Sequence, residues 1–106
     1  MDELARDEKN KAELLSYRES NEYEFSIAGC TANVILIKNN TLYCANAGDT
    51  RCCISNNGKL VKLSKDHKPT DHKERERIMA AGGSVYNERV NGNLNLSRAL
   101  GDFEYK

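Results

Sequence analysis

The sequence predicts an α+β chain: an acidic N-terminal helix, a four-strand antiparallel meander and a surface helix. Three observations predict it. A glycine-free, charge-rich stretch opens the chain and pairs acids with bases four residues on. From Gly29 the pattern changes to short β-branched runs separated by Asn-Asn and Asn-Gly. A polar segment ending at Pro69 is then followed by a charged stretch that stops at Gly82-Gly83.

Residues 1–27 hold eight acids (Asp2, Glu3, Asp7, Glu8, Glu13, Glu19, Glu22, Glu24) against four bases (Arg6, Lys9, Lys11, Arg18). That is −4, which leaves +4 for residues 28–106 in a chain of zero formal charge. Asp2 with Arg6 and Asp7 with Lys11 have the helical i,i+4 spacing. The apolar residues Leu4, Ala5, Ala12, Leu14, Leu15 and Tyr17 make only a ragged stripe. The pattern predicts a solvated helix over 3–17 and a polar linker over 20–26.

Strands follow over 33–38 and 41–46, joined by Asn39-Asn40, because asparagine tolerates the positive φ of a two-residue hairpin. Ala47-Gly48-Asp49 reads as a tight connection to a third strand over 50–55. Asn57-Gly58, the strongest short hairpin signal, leads to a fourth over 60–63. Continuous apolar runs need cover on both faces. The expected core is therefore Val34, Ile35, Leu36, Ile37, Leu42, Cys44, Ala45, Cys52 and Ile54, with Ile35 and Leu36 both out of solvent. Asp71 with Glu74 resembles a capping box for a helix over 71–81, stopped by Gly82-Gly83. That helix should be largely exposed, with Ile78 and Ala81 facing inward. Short strands or loops over 84–86 and 89–96 surround Asn91-Gly92, and 98–102 forms a tight polar turn.

Composition excludes several classes. At 106 residues the chain is one domain or part of one. Zero net charge gives no chain-wide footprint for nucleic acid or an anionic membrane. The longest apolar run, Val34-Ile35-Leu36-Ile37, is far short of the roughly 20 residues that span a bilayer. The acidic opening lacks the apolar core of a signal peptide, so the cytosol or nucleus is the expected compartment. Cys30, Cys44, Cys52 and Cys53 form no C-x-x-C pair. With His67 and His72 they lack zinc spacing, and they read as small buried thiols.

Spacing alone says little about chemistry. Asp49 and Asp102 each follow a glycine in a loop at a strand end, a position that serves either a turn or a hard metal such as magnesium. Lys65, Lys68, Arg89 and Arg98 lie on loops, where a base either meets a phosphate or is simply solvated. No Ser/His/Asp or Cys/His nucleophile arrangement is visible, and His67 and His72 read as exposed polar groups.

Read in order, the segments carry more. Gly29-Cys30-Thr31-Ala32, Ala45-Asn46-Ala47-Gly48-Asp49-Thr50-Arg51 and Leu63-Ser64-Lys65-Asp66-His67-Lys68-Pro69 come first. Glu76-Arg77-Ile78, Ala80-Ala81-Gly82-Gly83-Ser84-Val85 and the run from Arg89-Val90-Asn91-Gly92 to Ser97-Arg98-Ala99-Leu100-Gly101-Asp102-Phe103 follow. Together they resemble the middle of the metal-dependent type 2C protein serine/threonine phosphatases, over residues 28–106. Cys30 and Thr50 stand where the family often has serine.

The resemblance implies part of an antiparallel β-sandwich flanked by helices, acting on phosphoserine and phosphothreonine in protein substrates. It implies magnesium or manganese, whose bridged pair activates a water for in-line attack without a covalent phosphoenzyme. Residues 66–93 would be a mobile flap beside the cleft. Asp49, in the Gly-Asp-Thr-Arg position, would ligate a third, weaker ion. Arg98 and Asp102 would shape the cleft floor, and His67, Lys68 and Arg89 would support cleft or flap. The family's Asp-Gly-His-Gly-Gly motif belongs upstream of Gly29, where this sequence has a glycine-free acidic stretch, and later Asp-Gly and Asp-Asn motifs would follow Lys106. Residues 1–27 then form an acidic helix and linker, and 28–106 a domain centre incomplete on both sides. Two readings follow. One is a piece of an active phosphatase, inactive as 106 residues alone. The other is a catalytically dead module whose exposed sheet faces are covered by a protein partner or by a second copy.

Overall fold

The computed structural model describes residues 1–17 and 22–106. Among them are α1 (Asp2–Arg6), α2 (Glu8–Ser16), α3 (Glu22–Ile27), β1 (Gly29–Cys30), β2 (Ala32–Lys38), β3 (Thr41–Ala47), β4 (Cys53–Asn56) and β5 (Lys59–Lys62). There follow α4 (His72–Ala80), β6 (Val85–Tyr86), β7 (Arg89–Val90), β8 (Leu100–Gly101) and a 3₁₀ turn, Phe103–Tyr105. The α+β class holds, with every strand in a small antiparallel pair. No helix among the described residues is long and apolar enough to cross a membrane.

Two compact units divide the chain, residues 1–30 with 99–106, and residues 31–98. In the first, the helix expected over 3–17 is broken at Asp7, whose ψ of 130° is extended. The Asp7 carboxylate accepts from Lys9 N–H at 3.1 Å and so caps a second helix, which is what a short acid does best at a helix start. The expected linker over 20–26 is also corrected. Residues 18–21 lie outside the described ones, but Glu22–Ile27 is helical, and Phe25 stacks on Phe103 with centroids 5.3 Å apart. A tertiary aromatic contact stabilises a segment too short and polar to hold a helix alone. β1 pairs with β8, and Asp2 holds that edge by accepting from Gly101 N–H at 2.9 Å.

In the second unit the hairpins form where the turn chemistry puts them. Asn39 and Asn40 have φ of 49° and 58°, and Asn57 and Gly58 have 51° and 74°. The pairs β2·β3 and β4·β5 are nevertheless separate ribbons, not one four-strand meander. Residues 48–52 bond to 63–67 and leave β3: Leu63 N–H reaches Cys52 O, Cys52 N–H reaches Ser64 Oγ, and His67 N–H reaches Gly48 O. The backbone groups that a third meander strand would offer β3 are thereby used.

The expected core is corrected as well. Val34 (60% exposed), Ile35 (42%), Leu36 (56%), Ile37 (72%), Leu42 and Ile54 all face solvent. Ala45 is exposed too, and Cys44 and Cys52 are only half-buried. An apolar run shows that a strand needs cover, not that its own chain supplies it, and nothing described here forms a second layer on this ribbon. Among the described residues the buried ones are instead Gly48, Pro69, Glu74, Ile78, Val90 and Asp102.

Helix α4 is capped by Asp71, which accepts from Lys73 N–H at 3.2 Å. At its end Gly82 N–H bonds Met79 O and Gly83 N–H bonds Ile78 O, a full Schellman stop with Gly82 at φ 84°. Its inward face is Glu74 and Ile78, one turn apart, whereas Ala81 is exposed. Beyond it, β6 and β7 turn at Asn87-Glu88, both at positive φ, and Asn91-Gly92 makes a second turn.

Candidate functional site

Gly48 and His67 are joined twice. His67 N–H donates to Gly48 O at 3.0 Å, and Gly48 N–H donates to His67 Nδ1 at 3.2 Å. The next residue on each segment is Asp49 on one side and Lys68 on the other. The Lys68 ammonium pairs with Asp49 Oδ2. Backbone register therefore delivers this ion pair, rather than a chance meeting of two long side chains. Asn46 Nδ2 ties both segments by donating to Gly48 O and Lys65 O, each at 3.1 Å. Behind Lys68, Pro69 is fully buried, and the residue before a proline is held extended.

The same two segments meet again at Arg51 and Asp66, where the guanidinium donates from Nε at 2.9 Å and from Nη2 at 2.8 Å. These bonds hold the Asp66 carboxyl below its ordinary range, against some desolvation. Lys65 pairs with Asp71. Arg51, Lys65 and Lys68 thus each have an acid partner.

A second cluster centres on Glu74, whose side chain is 8% exposed. Arg98 grips it with both arms, Nε to Oε2 at 2.9 Å and Nη2 to Oε1 at 2.7 Å. Arg77 Nη2 and Ser97 Oγ donate to the same Oε2 at 3.0 and 2.9 Å. Burial alone pushes the Glu74 carboxyl up, but the bonds from Arg98, Arg77 and Ser97 outweigh it and bring it down to about 2. Ser97 N–H also donates to His67 O at 3.0 Å, which links this cluster to the Asp49 loop.

A Gly-Asp-Thr-Arg loop clasped to an Asp-His-Lys-Pro segment, with a Ser-Arg pair anchored on the intervening helix, can be compared with known proteins. The family model described as Protein phosphatase 2C matches residues 2–106. The chain belongs to the protein phosphatase 2C family. It is 63% identical over 83 residues to Probable protein phosphatase 2C 6 of Paramecium tetraurelia, covering 78% of this chain and 28% of that protein. It is 53% identical over all 106 residues to Probable protein phosphatase 2C 5 of the same organism, covering 36% of it. In structure it is similar to a phosphatase crystallised from a pathogenic strain of Toxoplasma gondii. That match has a TM-score of 0.52 and 30% identity, over 74% of this chain and 36% of that one. The chain therefore spans about a third of the length of the curated relatives it matches.

Within this protein phosphatase 2C chain the expected site residues part company. Asp49, His67 and Lys68 come together, and Arg98 joins them through Ser97. Arg89 does not. Its Nη1 donates to Asn93 O at 2.5 Å and braces the turn at Asn91-Gly92. Asp102 belongs to the other unit. It is buried at φ 51°, and its Oδ2 would lie 2.2 Å from a Cβ added to Gly29. Desolvation raises its carboxyl, partly opposed by Lys106. A raised acid penalises the fold once pH passes the ordinary carboxylate range, and asparagine tolerates this φ. Asp102→Asn is thus expected to raise stability at pH 7, a gain that vanishes in acid. Urea midpoints at pH 7 and pH 3 check it.

A carboxylate suits a hard divalent ion, and the Lys68 ammonium already stands on Asp49 Oδ2 as a cation would. The fit is that of one ligand. Among the described residues no three His, Cys, Asp or Glu side chains converge as a metal set, and the four cysteines are free thiols. Sequence reasoning missed Glu74 as the central anchor and Asn46 as the tie. The available signal for Glu74 was its position one helical turn before Ile78.

Proposed function

We propose that this chain is the central part of a metal-dependent protein serine/threonine phosphatase that hydrolyses phosphoserine and phosphothreonine in protein substrates. The observation that carries the metal dependence is Asp49, a carboxylate two residues beyond β3 with an ammonium on its Oδ2. When bound, magnesium or manganese supplies an activated water for attack on phosphorus. Asp49 would hold one ion, His67 and Asn46 hold the loop that carries it, and Arg98 on Glu74 would fix the floor beneath. The other ligands come from acids elsewhere in the complete domain.

The exposed β2·β3 ribbon supports a second reading, a catalytically dead module covered by a protein partner. One experiment separates them. The full reading frame containing these residues is assayed on a phosphothreonine peptide with manganese, beside its Asp49→Asn variant and beside the 106 residues alone. Expected are manganese-dependent turnover by the parent, a loss of about tenfold or more in Asp49→Asn with unchanged thermal unfolding, and no turnover above blank by the 106 residues. A full-length parent without turnover would establish the module reading. Equal manganese titrations for parent and variant would remove Asp49 from the ligands and leave it a turn former.

A further inference from the structure

We propose that Cys44 and Cys52 are an oxidation-sensitive pair, closed to a disulfide by hydrogen peroxide, in which Cys44 reacts first and Cys52 resolves. Backbone register brings the two thiols together. Along β3 exposure alternates: Tyr43 and Ala45 face solvent, whereas Cys44 and Asn46 are half-buried on the other face. The segment 63–65 returns over that face, where Asn46 Nδ2 donates to Lys65 O at 3.1 Å. Cys52 is held to the same segment twice, its N–H donating to Ser64 Oγ at 2.7 Å and its carbonyl accepting from Leu63 N–H at 2.9 Å. It is half-buried between the exposed Arg51 and Cys53, so its side chain turns inward where theirs do not. There it meets the Cys44 thiol as a hydrogen-bond partner. Cys44 Sγ in turn donates to Asn33 Oδ1 at 3.9 Å.

The chemistry balances between the pair and one peroxide. The Cys44 thiolate attacks a peroxide oxygen, the O–O bond breaks, and the departing hydroxide takes up the Cys44 proton as water. Cys52 sulfur then attacks the sulfenic sulfur on Cys44, the S–O bond breaks, and the hydroxyl leaves with the Cys52 proton as a second water. The two thiols lose two electrons and the peroxide gains them. Burial first, and the bond to Cys44 next, push the Cys52 thiol up, so it keeps its proton and stands as the resolving partner.

The test uses the full reading frame containing these residues, reduced, freed of reductant and titrated with hydrogen peroxide. Remaining thiols are alkylated before digestion with trypsin. Cleavage after Arg51 places Cys44 and Cys52 on separate peptides, 39–51 and 52–59. A linked pair of these peptides, released by dithiothreitol, should form at about tenfold less peroxide than half-oxidises the exposed Cys30. The link should survive Cys53→Ser. It should vanish in Cys52→Ser, where dimedone should capture a sulfenic acid on Cys44. An undiminished link through Cys53 in Cys52→Ser, or oxidation of Cys44 and Cys52 no earlier than Cys30, overturns the pairing. Dimedone capture on Cys52 in Cys44→Ser, at the peroxide that captures Cys44 in Cys52→Ser, overturns the order of attack. Should a serine variant fail to fold, the parent titration decides the pairing alone.

Discussion

Glu74→Gln is expected to cost about 2–3 kcal/mol of stability at pH 7, read as a lower urea midpoint. Removing one partner of a buried, hydrogen-bonded ion pair typically costs about 3–5 kcal/mol. The lower end applies because Arg98 and Arg77 are each 47% exposed and can find water. Glutamine keeps the shape but turns one acceptor into an amide that faces N–H donors from Arg98 and Arg77 and the O–H of Ser97. The loss should spread beyond α4, because Ser97 bonds both Glu74 and His67.

The pH dependence fixes the origin of that loss. The Glu74 carboxyl takes its proton near 4.5 when unfolded and at about 2 in the fold. Between those values the unfolded state binds more protons, so the Glu74 contribution is complete above pH 4.5 and disappears as pH falls toward 2. The linkage corresponds to about 3 kcal/mol, in line with the mutational figure. Parent and Glu74→Gln should therefore differ at pH 7 and converge near pH 2. A difference that persists unchanged at pH 2 would mean that packing, not charge, holds this cluster.

Local features were legible in the sequence, and distant partnerships were not. Asn39-Asn40, Asn57-Gly58 and Gly82-Gly83 announced their turns because each needs a positive φ that few residues accept. Asn87-Glu88 went unnoticed since glutamate rarely adopts φ of 61°. Asp49, His67 and Lys68 were found by motif, but their assembly depends on pairing across 19 residues, which no local pattern encodes. Glu74 read as the capping-box partner of Asp71, because its true partner Arg98 is 24 residues away. The run from Val34 to Ile37 misled for a related reason. Hydrophobicity records what a segment requires, and the described residues leave Val34, Ile35, Leu36 and Ile37 exposed.

Gly48→Ala is expected to be more damaging than any charge change in the Asp49 loop, by about 3–5 kcal/mol. Two costs combine. At φ +100° an L side chain is strained by about 1–3 kcal/mol, whatever the space around it. The space is also filled, because the new Cβ would lie 2.4 Å from Thr31 Cγ2, 2.9 Å from Thr31 Cβ and 3.1 Å from Arg98 O. Overpacking of this kind adds about 1–3 kcal/mol. Thr31 is not free to turn away, since its hydroxyl is bonded to Thr50 Oγ1 at 2.5 Å. Any backbone shift that relieved the clash would break the two bonds to His67 and slide Asp49 out of register with Lys68. Thr31→Ser provides the internal control: it removes Cγ2 and keeps the hydroxyl. In the Thr31→Ser background Gly48→Ala should recover part of the loss, roughly 1–2 kcal/mol, while the φ cost remains. Urea unfolding of the four chains measures this coupling directly. Equal losses in both backgrounds would assign the whole effect to φ, and a loss under about 1 kcal/mol would mean that the loop does not hold the glycine-dependent conformation on which the Asp49 site is built.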